Sequence, residues 1–428
     1  RTVTMSYDTL GRMVTRTEPE GTTTWVYDTT TTYAAGQGAH SIGKLLSDTG
    51  AEGKDESYTY DSLGRLASTT TTIDSVSYVS SQTYDASGRV DTLTYPASTH
   101  HAIGFDVTHQ YNAYGYLEVV TDGATDYWTA DAMTAEGQLK AMTLGNGVTT
   151  QKAYDATTGR LSAIGTSSNL GTNNIQDLDY TFDTLGNLNR REDLNQGLTE
   201  DFTYDTLNRM TASILDDGST QTTKTYTYDA IGNLTAKTGI GSYSYGYNAG
   251  PHAVTGAGGQ SITYDANGNV TSNYNFTAGQ ARTLAWTSYN KPTEIVQGAT
   301  TLTFAYGANR ELFRQDVTTA SDTSTRLYVT SLYEVNTAGT LTTYIHHIRA
   351  AGQTVALYKS LSDSSEQVRY LHRDHLGSIT EITDESAQVV EQLAYDPHGK
   401  RRNIDWSDAM AQLYAWQTQR SFTGHLYL

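Results

Sequence analysis

The sequence has 428 residues, no Cys, 5 Pro, 38 Gly and 32 Tyr against 7 Phe and 5 Trp, which excludes a disulfide framework, a zinc ribbon, an iron–sulfur cluster and a thiol nucleophile. Its 28 Lys plus Arg against 46 Asp plus Glu give a net charge of -18, a surface that repels phosphate backbones and anionic lipids, and no stretch approaches the roughly 18 apolar residues of a transmembrane helix. Nucleic acid and membrane insertion are therefore not expected, and a chain that begins at Arg1 without Met or an apolar leader reads as an internal piece of a longer polypeptide, its targeting signal upstream.

A short string then recurs along the chain. Tyr7-Asp8-Thr9-Leu10-Gly11-Arg12-Met13 comes first, followed by Tyr60-Asp61 to Gly64-Arg65-Leu66 and Tyr84-Asp85 to Gly88-Arg89-Val90. Tyr111 to Leu117 has Asn112 in place of Asp, Tyr154 to Leu161 carries one extra residue, and Phe182 to Leu188 begins with Phe. Tyr204-Asp205 to Met210 has Asn208 for Gly, and Tyr228-Asp229 to Gly232 and Leu234, then Tyr264-Asp265 to Gly268 and Val270, return to the full form. Starts at 182, 204 and 228 are 22 and 24 residues apart and other gaps are longer, a loose period suited to hairpins with variable outer loops.

Asp-x-x-Gly reads as a type I turn: Asp bonds its own backbone, and Gly takes the left-handed position that closes a bulged hairpin. Asn208 fits the same slot. Across such a turn Asp8 faces Arg12 and Tyr7 faces Met13, so one face of the ribbon is ionic and the other sets an aromatic ring on an aliphatic chain. The flanks Thr22 to Tyr27, Thr225 to Tyr228 and Ser242 to Tyr247 alternate as strands do, and helical periodicity is confined to about Ala409 to Trp416. Tyr in place of Phe and Leu suits a surface apolar in its body and wet at its hydroxyl, one that lines something. Curling such a sheet into a closed or spiral wall would hide its edges.

On these repeats the sequence resembles the YD-repeat, or Rhs, family, which includes Rhs polymorphic toxins, the C component of Tc toxins and, more remotely, teneurins. The stretch Gly36 to Leu46 before Tyr58-Thr59-Tyr60-Asp61 is similar to the family's, as is a C-terminal series: Tyr370, His372, Asp374, His375, Gly377 and Ser378, then Thr383-Asp384, Tyr395-Asp396-Pro397-His398-Gly399, and Phe422-Thr423-Gly424. The resemblance implies an all-β fold, a spiralling antiparallel strip of hairpins forming a partial hollow cocoon. It implies a non-enzymatic shell that encapsulates and delivers a C-terminal toxin, secreted by or displayed on a bacterium. Partners would be that cargo, other parts of the shell and a secretion or translocation apparatus. In the family an aspartyl self-cleavage site and the toxin follow the core segment, so both would lie beyond Leu428.

Along the chain, residues 1–290 read as the hairpin array, 291–366 as further strands with degenerate repeats, and 367–428 as the core-like segment. Ser167 to Asn174 and Gly250 to Gln260 read as polar loops, Gly256 to Gly259 as a flexible glycine loop and Lys359 to Glu366 as a polar link. His372, Asp374 and His375 have metal-ligand chemistry, but Asp374-His375-Leu376-Gly377 repeats the turn pattern. Asp396, with Asp405 downstream, superficially matches the family's cleavage motif, yet Pro397 presets a turn and Arg402 stands where the motif has Pro. His100-His101 and His346-His347 point to opposite strand faces and read as packed or solvated. No residue is assigned as catalytic or as a metal ligand, and no cofactor is implied. A glycan-binding adhesion module, with Tyr rings on its outer face, is the alternative function, and a self-cleaving or hydrolytic enzyme the third.

Overall fold

The computed structural model describes residues 2–27, 41–246, 249–408, 417–418 and 420–425; Gly36 to His40, Tyr247 and the 409–416 stretch lie outside them. The described chain is a succession of β-strands and turns, with a short 3-10 turn at Phe422–Gly424 and no α-helix. No helix among these residues is long and apolar enough to cross a membrane.

Strands adjacent in sequence pair antiparallel, as expected of hairpins with short connections. Thr4–Tyr7 pairs with Met13–Glu18 so that Tyr7 lies opposite Met13, and the register shifts at Ser6/Tyr7. The same shift precedes Tyr60 opposite Leu66, Tyr204 opposite Met210, Tyr228 opposite Leu234 and Tyr264 opposite Val270. Its cause is the turn. Gly11 sits at φ +77°, its N–H donates to the Asp8 carbonyl at 3.0 Å, and the Asp8 N–H donates to the Arg12 carbonyl at 2.9 Å. This is a type I turn closed by a left-handed residue, the geometry that inserts a bulge. Asn208 takes the Gly position at φ +59°.

Stretches read as loops are hairpins too. Gly258-Gly259, both at positive φ, form a two-residue turn joining Val254–Ala257 to Gln260–Ser261, the twist-matched connection that only such residues adopt easily. Strands Leu161–Ser168 and Gly171–Phe182 meet with two residues between them. Lys359 to Leu361, read as the start of a polar link, are the buried end of strand Gln353–Leu361, which is covered on both faces from Val355 onward.

The chain forms two units, the first from residues 1–125, 283–351 and 357–367, the second from 126–282, 352–356 and 368–428. Each contains an early run of hairpins and a later one. In the first unit Ile73 packs with Phe313, Val329, Tyr333 and Val335. In the second, Leu198 packs with Ala394 and Trp406, and Val148 with Ile175 and Ala387.

Within each unit the half of the early run away from the motif turns rests on turns of the later run. In the first, Arg16 donates to the Ala308 carbonyl at 2.9 Å, Lys54 pairs with Glu311 at 2.9 Å and Asp74 with Arg314 at 3.0 Å. In the second, Asn146 donates to Thr383 Oγ1 at 2.9 Å and to the Asp384 carbonyl at 2.8 Å, and Gln176 donates to Thr380 Oγ1 at 2.8 Å.

Candidate functional site

The repeated motif is the first candidate, and its side chains act across repeats as well as within them. Asp205 Oδ1 accepts the N–H groups of Leu207 at 2.9 Å and Arg209 at 3.0 Å, and Oδ2 holds the Arg209 guanidinium at 2.7 Å. Asp8, Asp61 and Asp85 do the same for Arg12, Arg65 and Arg89. The side-chain bond from Arg209, followed by its backbone N–H, keeps the Asp205 carboxyl below its ordinary value. In Asp229 and Asp265 the same oxygens serve Asn233 and Asn269.

Three of these arginines lie over the aromatic ring that opens the next repeat, Arg65 over Tyr84 at 4.1 Å, Arg89 over Tyr111 at 4.0 Å and Arg209 over Tyr228 at 4.7 Å, and Arg12 lies over Tyr27 at 4.5 Å, each a cation–π contact. The tyrosine hydroxyl then reaches back to the carbonyl of the aliphatic residue that opens the strand after the preceding turn. Tyr84 donates to Leu66 at 2.9 Å, Tyr204 to Leu188 at 2.7 Å, Tyr228 to Met210 at 2.9 Å and Tyr264 to Val254 at 2.8 Å. These hydroxyls are therefore ties between hairpins and not the wet surface expected from composition. Phe would fill the same space without the tie. Tyr204→Phe is expected to cost about 0.5–1.5 kcal/mol in urea unfolding, whereas Tyr114→Phe, on a ring that is 88% exposed, should leave the midpoint unchanged.

The C-terminal series is the second candidate, and most of it is buried in the second unit. Asp374 and Asp396 repeat the motif geometry: Asp374 Oδ1 accepts the N–H groups of Leu376 and Ser378, and Asp396 Oδ1 those of His398 and Lys400. Gly377 and Gly399 take φ +82° and +86°, and Pro397 stands at the second turn position. Tyr370 is buried in its strand opposite Thr383. Tyr395 ties its hydroxyl to the Ile379 carbonyl at 3.0 Å, and Ser378 Oγ accepts the Thr423 N–H at 3.1 Å. Phe422 lies against Gly399 and the Tyr395 ring.

His372 and His375 are not brought together on one ligand. His372 is in the sheet, bonded through Nε2 to Thr383 Oγ1 at 2.9 Å, and burial pushes its pKa down to about 3. The His375 ring packs at a tilt against Tyr180, centroids 4.3 Å apart, and burial, then the Arg191 charge, pushes its pKa down to about 4. With Asp374, Glu381, Arg191 and Tyr395 it borders a cavity of about 40 Å³. Burial raises Asp374 and pushes Glu381 up to about 8. Burial thus disfavours the charged form of Asp374, Glu381, His372 and His375 alike. Among the described residues no group of three His, Cys, Asp or Glu is arranged to hold a metal ion.

Sequence reading missed the centre of this region. Glu200 lies between Arg191, at 2.6 Å, and Arg402, at 2.8 Å. The Trp406 ring lies under both guanidiniums, at 4.9 and 4.5 Å. Arg402 is thereby engaged as an ion-pair partner, while Asp405 only closes an exposed turn with Ser407.

In the first unit, His101 and His346 share one aromatic cluster with Phe105, Tyr95 and Tyr358, while His100 pairs with Glu366 and His347 with Glu334. A cavity of about 440 Å³ opens beside Lys54, Glu56, Tyr58, Gln82 and Glu311. Asp48 accepts the Tyr58 hydroxyl, and burial, with Glu56 and Glu311 nearby, outweighs that bond and pushes Asp48 up to about 6.

A profile of the teneurin YD-shell family matches residues 112–403. No curated protein matches the chain. Among solved structures, the crystal structure of TcdB2-TccC3 is similar with a TM-score of 0.76 and 18% identity, over 99% of this chain and 24% of that one. The same protein without its hypervariable C-terminal region gives 0.72 and 17%, over 99% and 25%. A Photorhabdus luminescens Tc holotoxin pore gives 0.68 and 18%, over 93% and 23%. The chain spans about a quarter of the length of the chains it matches, and at this identity the likeness is one of fold.

Proposed function

The chain belongs to the teneurin YD-shell family, and from that premise we propose that it is wall: a stretch of non-enzymatic shell that encapsulates and helps deliver a C-terminal toxin passenger. One observation carries the reading. Motif side chains close their own turn and tie it to its neighbours: Asp61 holds Arg65, Arg65 covers the Tyr84 ring, and the Tyr84 hydroxyl reaches the Leu66 carbonyl. Such ties favour a continuous sheet that needs neither disulfide nor metal. The fold likeness to TcdB2-TccC3 supports the same reading.

The partners of this wall would be its own cargo, further coils of the shell and a secretion or translocation apparatus, and its place would be outside the bacterial cell. The glycan-binding alternative draws less support, since the rings of Tyr84, Tyr111 and Tyr228 carry guanidinium groups where a sugar would stack. The test is to express the chain with a passenger domain joined after Leu428 and to challenge it with protease. A passenger that survives doses that destroy the free domain supports the shell. A passenger cut as fast as the free domain overturns it.

A further inference from the structure

Coil-on-coil packing inside each unit follows one rule. The far half of an early hairpin covers a motif-type turn of a later one, and the covered turn buries or binds its first tip residue. Ala308 is 1% exposed, Ser288 donates its N–H and hydroxyl to Glu20, and the His375 and His398 rings pack at a tilt against Tyr180 and Tyr226.

The motif turns of the early runs look different. Their second tip residue is repeatedly large, apolar and in the open. In the first unit these are Leu10 at 75%, Leu63 at 74% and Tyr114 at 88% exposure; in the second, Leu185 at 74%, Leu207 at 67% and Ile231 at 59%. Hairpin tips are ordinarily polar, and regular apolar rows mark contact surfaces. The row in the second unit is held in line by its neighbours: Asn187 donates to Asn208 Oδ1 at 3.0 Å, and Arg209 to the Asp229 carbonyl at 3.3 Å. In the second unit two strand spacings, about 10 Å, separate Leu185, Leu207 and Ile231 in turn, while in the first the polar tip Ser87 stands between Leu63 and Tyr114.

We propose that this apolar row is a docking edge for the far-turn edge of another coil of YD hairpins, and that in a solution of this chain a second copy supplies it. The observed coil packing already joins a far-turn edge to a motif-turn edge within each unit. The first unit also leaves the complementary surface open, since the far turns at 318–323 and 338–341 of its later run are exposed. Motif edge against far edge is a heterologous contact, so copies stack head to tail and do not pair about a two-fold axis. The inference rests on the coil packing alone and stands whether or not the shell carries a passenger.

Sedimentation velocity on the whole chain from about 1 to 200 µM tests it. The wild type should associate progressively, and Leu185→Ser/Leu207→Ser/Ile231→Ser and Leu10→Ser/Leu63→Ser should each weaken association roughly tenfold or more. Val26→Ser/Val79→Ser changes two residues, each 51% exposed on strands, and should leave it unchanged. The exposed tips should tolerate Ser, which unchanged urea midpoints verify. A wild type that stays monomeric at the highest concentration overturns the proposal, as does equal weakening by the Val26/Val79 variant, which would mean diffuse stickiness.

Discussion

Glu200→Ala is expected to destabilise the second unit by about 3–5 kcal/mol, the cost of leaving buried charges without their partner. Glu200 stands opposite Arg191 in the pairing of Leu198–Tyr204 with Leu188–Asp193. Arg402, from the later run, closes on the same carboxylate, so one anion holds two guanidiniums and joins the two runs. Burial alone would raise the Glu200 pKa, but the charges of Arg191 and Arg402 outweigh it and the net shift is downward. Stability from this group is therefore present above its unfolded value of 4.5 and lost as pH falls through the lower folded value. Removing the carboxylate at neutral pH leaves Arg191 and Arg402 facing each other over Trp406. For a body of this size roughly 2–4 °C accompanies each kcal/mol, so calorimetry should show the unit's transition about 10 °C lower. Adding Arg191→Met and Arg402→Met should recover much of the loss, because an apolar replacement of a buried triad is often neutral or better. A shift below about 2 °C for Glu200→Ala, or no recovery in the triple variant, would show that the cluster contributes little.

How much of this was legible in the sequence depends on the distance each interaction spans. Asp8 and Gly11 announce their turn because the bonds they make close within five residues. The same turn is missed where its letters change. At Thr134 to Gln138 and Thr287 to Lys291 the Thr hydroxyl accepts the N–H that an Asp would take. At Gly307 to Glu311 the carboxylate comes from the far side of the turn: Glu311 accepts the Asn309 N–H at 3.0 Å and occupies the space a Cβ on Gly307 would need. A Gly or Asn followed two residues later by an aliphatic residue or Pro, as in Gly137 to Leu139 and Asn290 to Pro292, is the signal that remains. The ties between repeats were illegible for another reason. That Arg65 meets Tyr84 and that Tyr84 reaches Leu66 depends on which strand lies beside which, and a loose period does not fix that. Glu200 and Arg402 are 202 residues apart, and no local pattern links them. Family resemblance supplied the wall, while the physical reason for so many tyrosines came only from the hydroxyl partners.

Glu381→Gln is expected to make the second unit more stable at alkaline pH and to change its stability little by comparison near pH 5. Glu381 lies buried in strand Ile379–Thr383 opposite His372. Burial dominates and pushes its pKa from 4.5 up to about 8, with Asp193 and Asp374 adding to the rise against side-chain bonds from Thr380 and Gln176. Between those two values the folded chain keeps a proton that the unfolded chain has released, so stability falls as pH rises from about 4.5 to 8 and is level beyond. The accumulated penalty is on the order of 3–5 kcal/mol. Gln does not titrate and escapes it. His372 and His375 act in the opposite direction, because their folded values of about 3 and 4 lie below the unfolded 6.5 and stability from them is lost as pH falls through that window. They are common to both proteins and cancel in the difference. Any fixed cost of burying the amide cancels too, since it is the same at both pH values. Urea unfolding of wild type and variant at pH 5 and pH 8.5 should therefore show the variant gaining about 3 kcal/mol or more on the wild type between the two conditions. A constant difference would mean that Glu381 is already ionised in the folded sheet, and that the desolvated cluster around Asp374 and His375 is hydrated in solution.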